Sequence, residues 1–529
     1  MESEIVPFSS VEIEKRYKRQ SIEWEWGFRR RNPKFAKEQT GGRGRGKGGI
    51  TMKMLLEGKW TDASDGAVIP SVAPATGQEI DTVPRATRED AQRCLQAARR
   101  GAPAWATLSM RQRGDILWAA ADAVAAHREE LTALLCRESG RLYMQCMYEV
   151  DSTVRLLRDY VEYAKHMTGK SYQDMDAPGG LGSFAFTVHE PLGVVVCIAP
   201  FNYPIETLTF KLAPALLMGN AVIVKPATDT PLTVLRYAEL LLAAGVPGDV
   251  CQVITGRGSQ LGDWLVDTDL VDAVSFTGST EVGTHIAQVS APYLHRLVLE
   301  LGGNDAVVIF EDADIDYVIG ESLIRLWNAG QTCCGTKRYL VHNSVRREFV
   351  EKLAAILTQI KVGDPFDPDM GMGSLISESA AIHARGQIDA AVAQGARLVC
   401  GGERSGAFLT PAILDDVTAE MDVARDEECF APVFAVIGFD TEEEALTIAN
   451  SSRYGLNAGV VTRDMNRAVR VAKRLQAGTV VTNSVSQWRT NEAPFGGYKM
   501  SGWGKECLEC SLAEMSQSKT VVIKGVREG

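Results

Sequence analysis

Two cysteines stand side by side in NAGQTCCGTKR, residues 328–338. A thiolate is a potent nucleophile, but covalent catalysis also needs donors for the charge that develops on the substrate, and a base. Asn202, in PFNYP (200–204), follows a short apolar run. Its amide N–H is one candidate oxyanion donor, a role typically worth about 10²–10³ in rate; an asparagine in such a turn also serves as a local cap. Glu300, in LELGG (299–303), puts a carboxylate at an apolar strand end. Lost hydration there would lift its pKa toward that of a general base, and a buried salt bridge is the competing reading. Lys225, in VIVKPATDTP, and the Gly-Ser turn of FTGSTEVG (276–283) offer an ammonium, a hydroxyl and helix-start N–H groups to ribose and pyrophosphate oxygens. The glycine spacing GRGSQLG (256–262) is not the dinucleotide fingerprint.

These groups sit at the ends of short apolar runs that the pattern reads as buried strands. VVVCIAP (194–200), AVIVKP (221–226), CQVITG (251–256), AVSFTG (273–278) and LVLELGG (297–303) alternate with amphipathic helices such as PLTVLRYAELLLAAG (231–245). Starts roughly 20–30 residues apart fit βαβ units in a parallel sheet. A second α/β series follows, with AVVIF (306–310), RYLVH (338–342), FAVIGFD (434–440), AGVVT (458–462) and TVVTN (479–483). Two α/β domains meeting near residue 300 would enclose the candidate groups in a cleft. Upstream, Ile116, Ala120, Val124 and Leu131 share one face of a helical stretch.

The bulk numbers bound the rest. At 529 residues the chain exceeds a single core, and its net charge of −11 argues against a dominant nucleic-acid surface. No apolar run reaches membrane-span length, and eleven irregularly spaced cysteines read as reduced thiols of a cytoplasmic protein. Cys507 and Cys510 lack a second pair at zinc spacing, so no metal site is expected. Residues 1–51 are basic and glycine-rich and are expected to form a flexible extension.

PFNYP, KLAPALLMGNAVIVKPATDTPL, FTGSTEVG, LELGGNDAVVIFEDADID, NAGQTCCGTKR, EECFAPV and PFGGYKMSGWGKE occur in the order found in the aldehyde dehydrogenase superfamily, which the chain resembles from about Met54 to about Ile523. The resemblance implies an α/β fold. Its parts would be a Rossmann-type cofactor domain (52–172 and 191–302), an α/β catalytic domain (303–505), and a small β oligomerisation arm with the tail (173–190 and 506–529) of a homodimer or homotetramer. It aligns the nucleophile with Cys333 and makes Cys334 a packing neighbour. Asn202 and the Cys333 backbone N–H would hold the oxyanion of a thiohemiacetal, hydride would pass to NAD or NADP, and Glu300 would activate the thiol and then the water that hydrolyses the thioester. Phe201, Lys225, Thr228, Gly278, Ser279, Glu428 and Phe430 would hold the cofactor; Thr207, Phe210, Trp488, Arg489 and Phe495 would wall the aldehyde tunnel.

Three departures from the family pattern bear on these roles. Ala431 replaces a usual glycine, the spacing from EDADID to NAGQTC is one residue shorter than in many relatives, and Thr228 stands where many NAD-specific members carry glutamate. The last predicts acceptance of NADP. Arg489 predicts a polar or anionic aldehyde. A CoA-acylating dehydrogenase is the alternative within enzymes, disfavoured by the presence of Glu300. A catalytically silent binding protein on the same fold is the alternative outside them.

Overall fold

The computed structural model describes residues 52–172 and 183–524. The basic segment 1–51, the stretch 173–182 of the expected arm and the terminus 525–529 lie outside the described residues.

Five strands, Val194–Ile198, Ala221–Lys225, Cys251–Val253, Ala273–Thr277 and Arg296–Glu300, consist largely of buried aliphatic residues, as parallel strands covered on both faces must. All pair in parallel. Val194–Ile198 sits between Ala221–Lys225 and Ala273–Thr277, with Cys251–Val253 and Arg296–Glu300 outside them. The chain thus winds outward from Val194–Ile198 to one side, then crosses back to the other. The carboxyl edge beside such a reversal is where open α/β sheets hold ligands. Residues 199–202, 226–228, 278–279 and 301–303 all leave strands at that edge. The intervening helix Pro231–Ala243 begins with proline at its first turn, and its free N–H groups at Leu232 and Thr233 donate to the buried Glu138 carboxylate (2.5 and 3.0 Å).

Two short antiparallel additions close the sheet's edges. Met54–Leu56 pairs with Lys59–Thr61 and meets Val253; Gly502–Trp503 lies against Leu299 and Glu300. The second sheet has Ala306–Ile309, Arg338–His342, Ala412–Asp415, Val433–Phe439, Asn457–Val461 and Thr479–Thr482 in parallel, with Arg397–Cys400 antiparallel at one edge. Each sheet carries its own apolar core. They are joined at Leu301–Asp305, where the Asp305 carbonyl accepts the Lys337 and Arg338 N–H groups, both at 3.0 Å. The carboxyl edge of the first sheet thereby faces the loop that enters the second.

A third, antiparallel sheet pairs Ser171–Tyr172 with Phe184–Pro191 and the latter with Ser516–Ile523, from Ser516↔Pro191 to Ile523↔Phe184. The helical stretch read from Ile116 to Leu131 is two helices, Met110–Ala126 and Arg128–Ser139, separated at His127 (φ −106°, ψ 22°). The His127 ring nitrogen lies 2.9 Å from the Ala123 carbonyl and competes for the helix's own acceptor. Ala120, Val124 and Leu131 are still fully buried. No described helix is long and apolar enough to cross a membrane.

Candidate active site

The loop carrying the cysteines begins with three consecutive left-handed residues, Asn328 (φ 53°), Ala329 (φ 50°) and Gly330 (φ 76°). Glycine is required at the third, because an added Cβ would fall 2.4 Å from the Ala431 backbone. The first two store strain of about 1 kcal/mol or more each, and a polar lattice holds them. Asn328 N–H donates to the Gln145 side chain (3.1 Å), and Asn328 Nδ2 donates to the Asn202 and Gln331 carbonyls (3.1 and 3.2 Å). Buried Arg325 donates to the Gly330, Cys429 and Ala431 carbonyls (2.8, 2.7 and 2.6 Å). Three segments distant in sequence, PFNYP, NAGQTCC and EECFAP, are thus tied into one body. Ala431 is fully enclosed and contributes its carbonyl to that lattice.

Within it Cys333 is half-buried and Cys334 buried. Asn202 spends one amide hydrogen on the Gln331 carbonyl (2.9 Å), leaving the other for a ligand. The Cys333 backbone N–H donates to no acceptor among the described residues. The adjacent Cys334 thiol pulls the Cys333 pKa down from the ordinary thiol range to about 7, and the Lys337 and Arg489 charges add to it. The same contact drives Cys334 up, so the adjacent thiols differ sharply in acidity. Lys337 donates to the Thr332 carbonyl (3.2 Å) and to that of Cys333, and pairs with Glu428 at 3.0 Å.

Glu300 is buried, and neither carboxylate oxygen has a hydrogen-bond partner among the described residues. Burial lifts its pKa well above the usual range; Glu506 adds to this, while Arg489 and Lys211 oppose it. An added Cβ at Gly496 would come within 2.6 Å of its Oε1, so the PFGG turn must pass the carboxylate without a side chain.

Thr207 and Phe210 are buried on helix Glu206–Leu217, and Phe495 packs with Cys333, Cys334 and Leu456. The Arg489 guanidinium stacks on Phe210 and Phe495, 3.7 and 4.3 Å from the ring centroids, and donates to Glu506 at 3.0 Å. Trp488, by contrast, is 45% exposed.

The remaining candidates line the carboxyl edge of the first sheet. The buried Lys225 ammonium has one acceptor among the described residues, the Pro226 carbonyl (3.2 Å), so two donors remain for oxygens of a ligand; burial lowers its pKa to about 8. Ser279 caps helix Thr280–Ser290, and Gly278 N–H donates to the Glu300 carbonyl at 3.0 Å. Phe201 and Phe430 meet edge to face at 5.9 Å. A Cβ at Gly302 would lie 2.5 Å from Glu428, which keeps the floor between Glu428 and the first sheet open. Open donors at one end and an aromatic pair at the other fit a nicotinamide dinucleotide.

Sequence reasoning missed Lys337, Lys211 and Glu506. Lys211 donates to Glu506 at 2.6 Å, both buried beside Arg489. The available signal was a lone cation inside the apolar run TLTFKLAPALL and a cation pair opening the buried strand RYLVH.

The acidity of Cys333 is measurable directly. Its alkylation by iodoacetamide is expected to be half-maximal at about pH 7, and in Cys334→Ala the midpoint should rise. A wild-type midpoint in the ordinary thiol range would contradict the effect of Cys334 on Cys333.

The sequence model of the aldehyde dehydrogenase family matches residues 60–521. A betaine aldehyde dehydrogenase of Cereibacter sphaeroides is 38% identical over 474 residues, covering 89% of this chain and 96% of its own. The crystal structure of a Staphylococcus aureus betaine aldehyde dehydrogenase in complex with NAD+ superposes with a TM-score of 0.87 at 34% identity, covering 91% of this chain and 96% of that one. An NADP-dependent enzyme of E. coli gives 0.86 at 33%, covering 90% and 98%. Motif order, sheet topology and nearly full-length similarity agree: the chain belongs to the aldehyde dehydrogenase family and is an NAD(P)-dependent enzyme of it.

Proposed function

We propose that the chain oxidises an aldehyde to its carboxylic acid through a covalent adduct on Cys333. The observation that carries this reading is the pairing of an acidified, half-buried thiol with a buried carboxylate whose two oxygens are unpartnered. The Cys333 thiolate adds to the aldehyde carbon, and the oxyanion of the resulting thiohemiacetal accepts from the spare Asn202 amide hydrogen and the Cys333 N–H. Bound NAD(P) supplies the acceptor for the hydride that leaves the same carbon. Glu300 then takes a proton from the water that attacks the thioester, releasing the acid and restoring the thiolate.

Lys225, Thr228, Gly278, Ser279 and Glu428 would hold the dinucleotide, with Phe201 and Phe430 at the nicotinamide end. The three-stranded sheet, whose strand Ser516–Ile523 has an open edge among the described residues, would serve assembly into a dimer or tetramer. Eleven free cysteines fit a reducing, cytoplasmic setting. The substrate reading remains a polar or anionic aldehyde, supported by the buried Arg489 Nε, which lacks a partner.

Thr228 bears on cofactor choice. Its hydroxyl reaches the Gly256 carbonyl at 3.4 Å and itself brings no carboxylate to repel a ribose phosphate, although the Asp229 carboxylate acts on Lys225. The enzyme is therefore expected to use NADP alongside NAD, with NADP use falling as pH rises through about 8, where Lys225 loses its proton. Thr228→Glu should shift kcat/KM toward NAD by about tenfold or more. A wild type that favours NAD by about a hundredfold (about 2.7 kcal/mol) contradicts the cofactor reading, and no reduction of either cofactor by any aldehyde contradicts the function.

A further inference from the structure

Aromatic faces are the usual receptors for quaternary ammonium groups, and betaine aldehyde, named for the relative from Cereibacter sphaeroides, is a trimethylammonium aldehyde. In this chain two buried rings, Phe210 and Phe495, the latter packed with Cys333, already hold a cation. Arg489 belongs to the protein itself and lies 3.7 and 4.3 Å from their centroids. Its position is fixed by the bond to Glu506, which the Lys211 ammonium also grips from the other oxygen. Phe495 touches the Cys333 cluster, so the stack adjoins the reacting sulfur.

We propose that Arg489 makes the aldehyde pocket of this chain reject quaternary-ammonium aldehydes and accept uncharged or anionic ones. The proposal rests on the reading of Cys333 as the nucleophile of an aldehyde dehydrogenase. Two effects act together. The ring faces that would stabilise a ligand cation are covered by the guanidinium, and a second cation would have to approach a fixed charge of the same sign. Glu506 does not cancel that charge alone, because it is shared between Arg489 and Lys211. Glu300 and Glu206, the other carboxylates acting on Arg489, are both pushed toward their neutral forms by burial. The Arg489 Nε–H, which has no partner among the described residues, can serve an oxygen of a ligand and offers nothing to a methylated nitrogen.

The test compares trimethylammonioacetaldehyde with tert-butylacetaldehyde, its carbon isostere, in wild type and Arg489→Gln. The ratio of kcat/KM values for the two aldehydes cancels between proteins whatever difference in carbonyl reactivity they carry. Wild type should favour the neutral aldehyde, and Arg489→Gln should shrink that preference by about tenfold or more. A binding measurement on wild type covers the case in which the variant fails to fold: neohexyl alcohol should protect Cys333 from alkylation at lower concentration than choline, its ammonium counterpart. An unchanged ratio in a folded variant, or choline protecting better than its isostere, overturns the proposal. Failure of wild type to oxidise any aldehyde counts against the dehydrogenase reading alone, and the protection experiment still decides this one.

Discussion

Cys333→Ala is expected to lower aldehyde oxidation by roughly four orders of magnitude or more, the scale seen when a covalent nucleophile is removed. Cys334→Ala should keep most of it. Only Cys333 is half-open to a substrate; Cys334 is buried and its pKa is driven up by the contact with its neighbour. Its thiol also acts on its neighbour: it lowers the Cys333 pKa, and removing it should return Cys333 toward ordinary acidity. Cys334→Ala should therefore lose rate mainly at neutral pH and recover it as the pH rises. Equal losses in both variants, at every pH, would show that the pair acts only as a structural unit.

Glu300→Gln should cut steady-state turnover by about 10²–10⁴-fold, the usual worth of a general base, while leaving one stoichiometric burst of reduced cofactor. Glutamine keeps the volume of the buried side chain but takes no proton from water, so thioester forms and accumulates. Stability offers an independent readout. The folded-state pKa of Glu300 lies above the unfolded value, so its contribution is fully present below the unfolded pKa and is lost as pH rises through the folded one. Glu300→Gln should accordingly gain thermal stability relative to wild type as pH increases. An unchanged steady-state rate would count against the base, and strong stimulation of wild type by CoA would point to acyl transfer instead of hydrolysis.

The strands of both sheets were legible because parallel strands covered on two faces are runs of valine, isoleucine and alanine bounded by glycine and proline. Arg338–His342 lies where RYLVH predicts it, and Ala273–Thr277 differs from its predicted bounds by one residue. The strand Gly502–Trp503 was not, since two residues carry no period. It matters nonetheless, because Gly502 pairs with Glu300 and the Ser501 carbonyl accepts from Leu301. Nothing local reports the contact of Lys211 with Glu506, 295 positions apart, and with it the anchoring of Arg489. Arg489 was legible as a cation in the substrate segment, but its partners, two aromatic rings and a carboxylate, come from two other stretches, one of them about 280 residues upstream. The left-handed Ala329 is likewise set by the surrounding lattice and not by its own preference.

The central claim is that aldehyde carbon is transferred to Cys333. Trypsin should release both cysteines on one peptide, residues 326–337, so site assignment needs fragmentation of that peptide after Glu300→Gln protein is mixed with aldehyde and NAD or NADP. An acyl mass on Cys333 with Cys334 free is the predicted result. Acylation of Cys334 in a protein whose Cys333 is intact, or acid formed with no adduct on either sulfur, would contradict it.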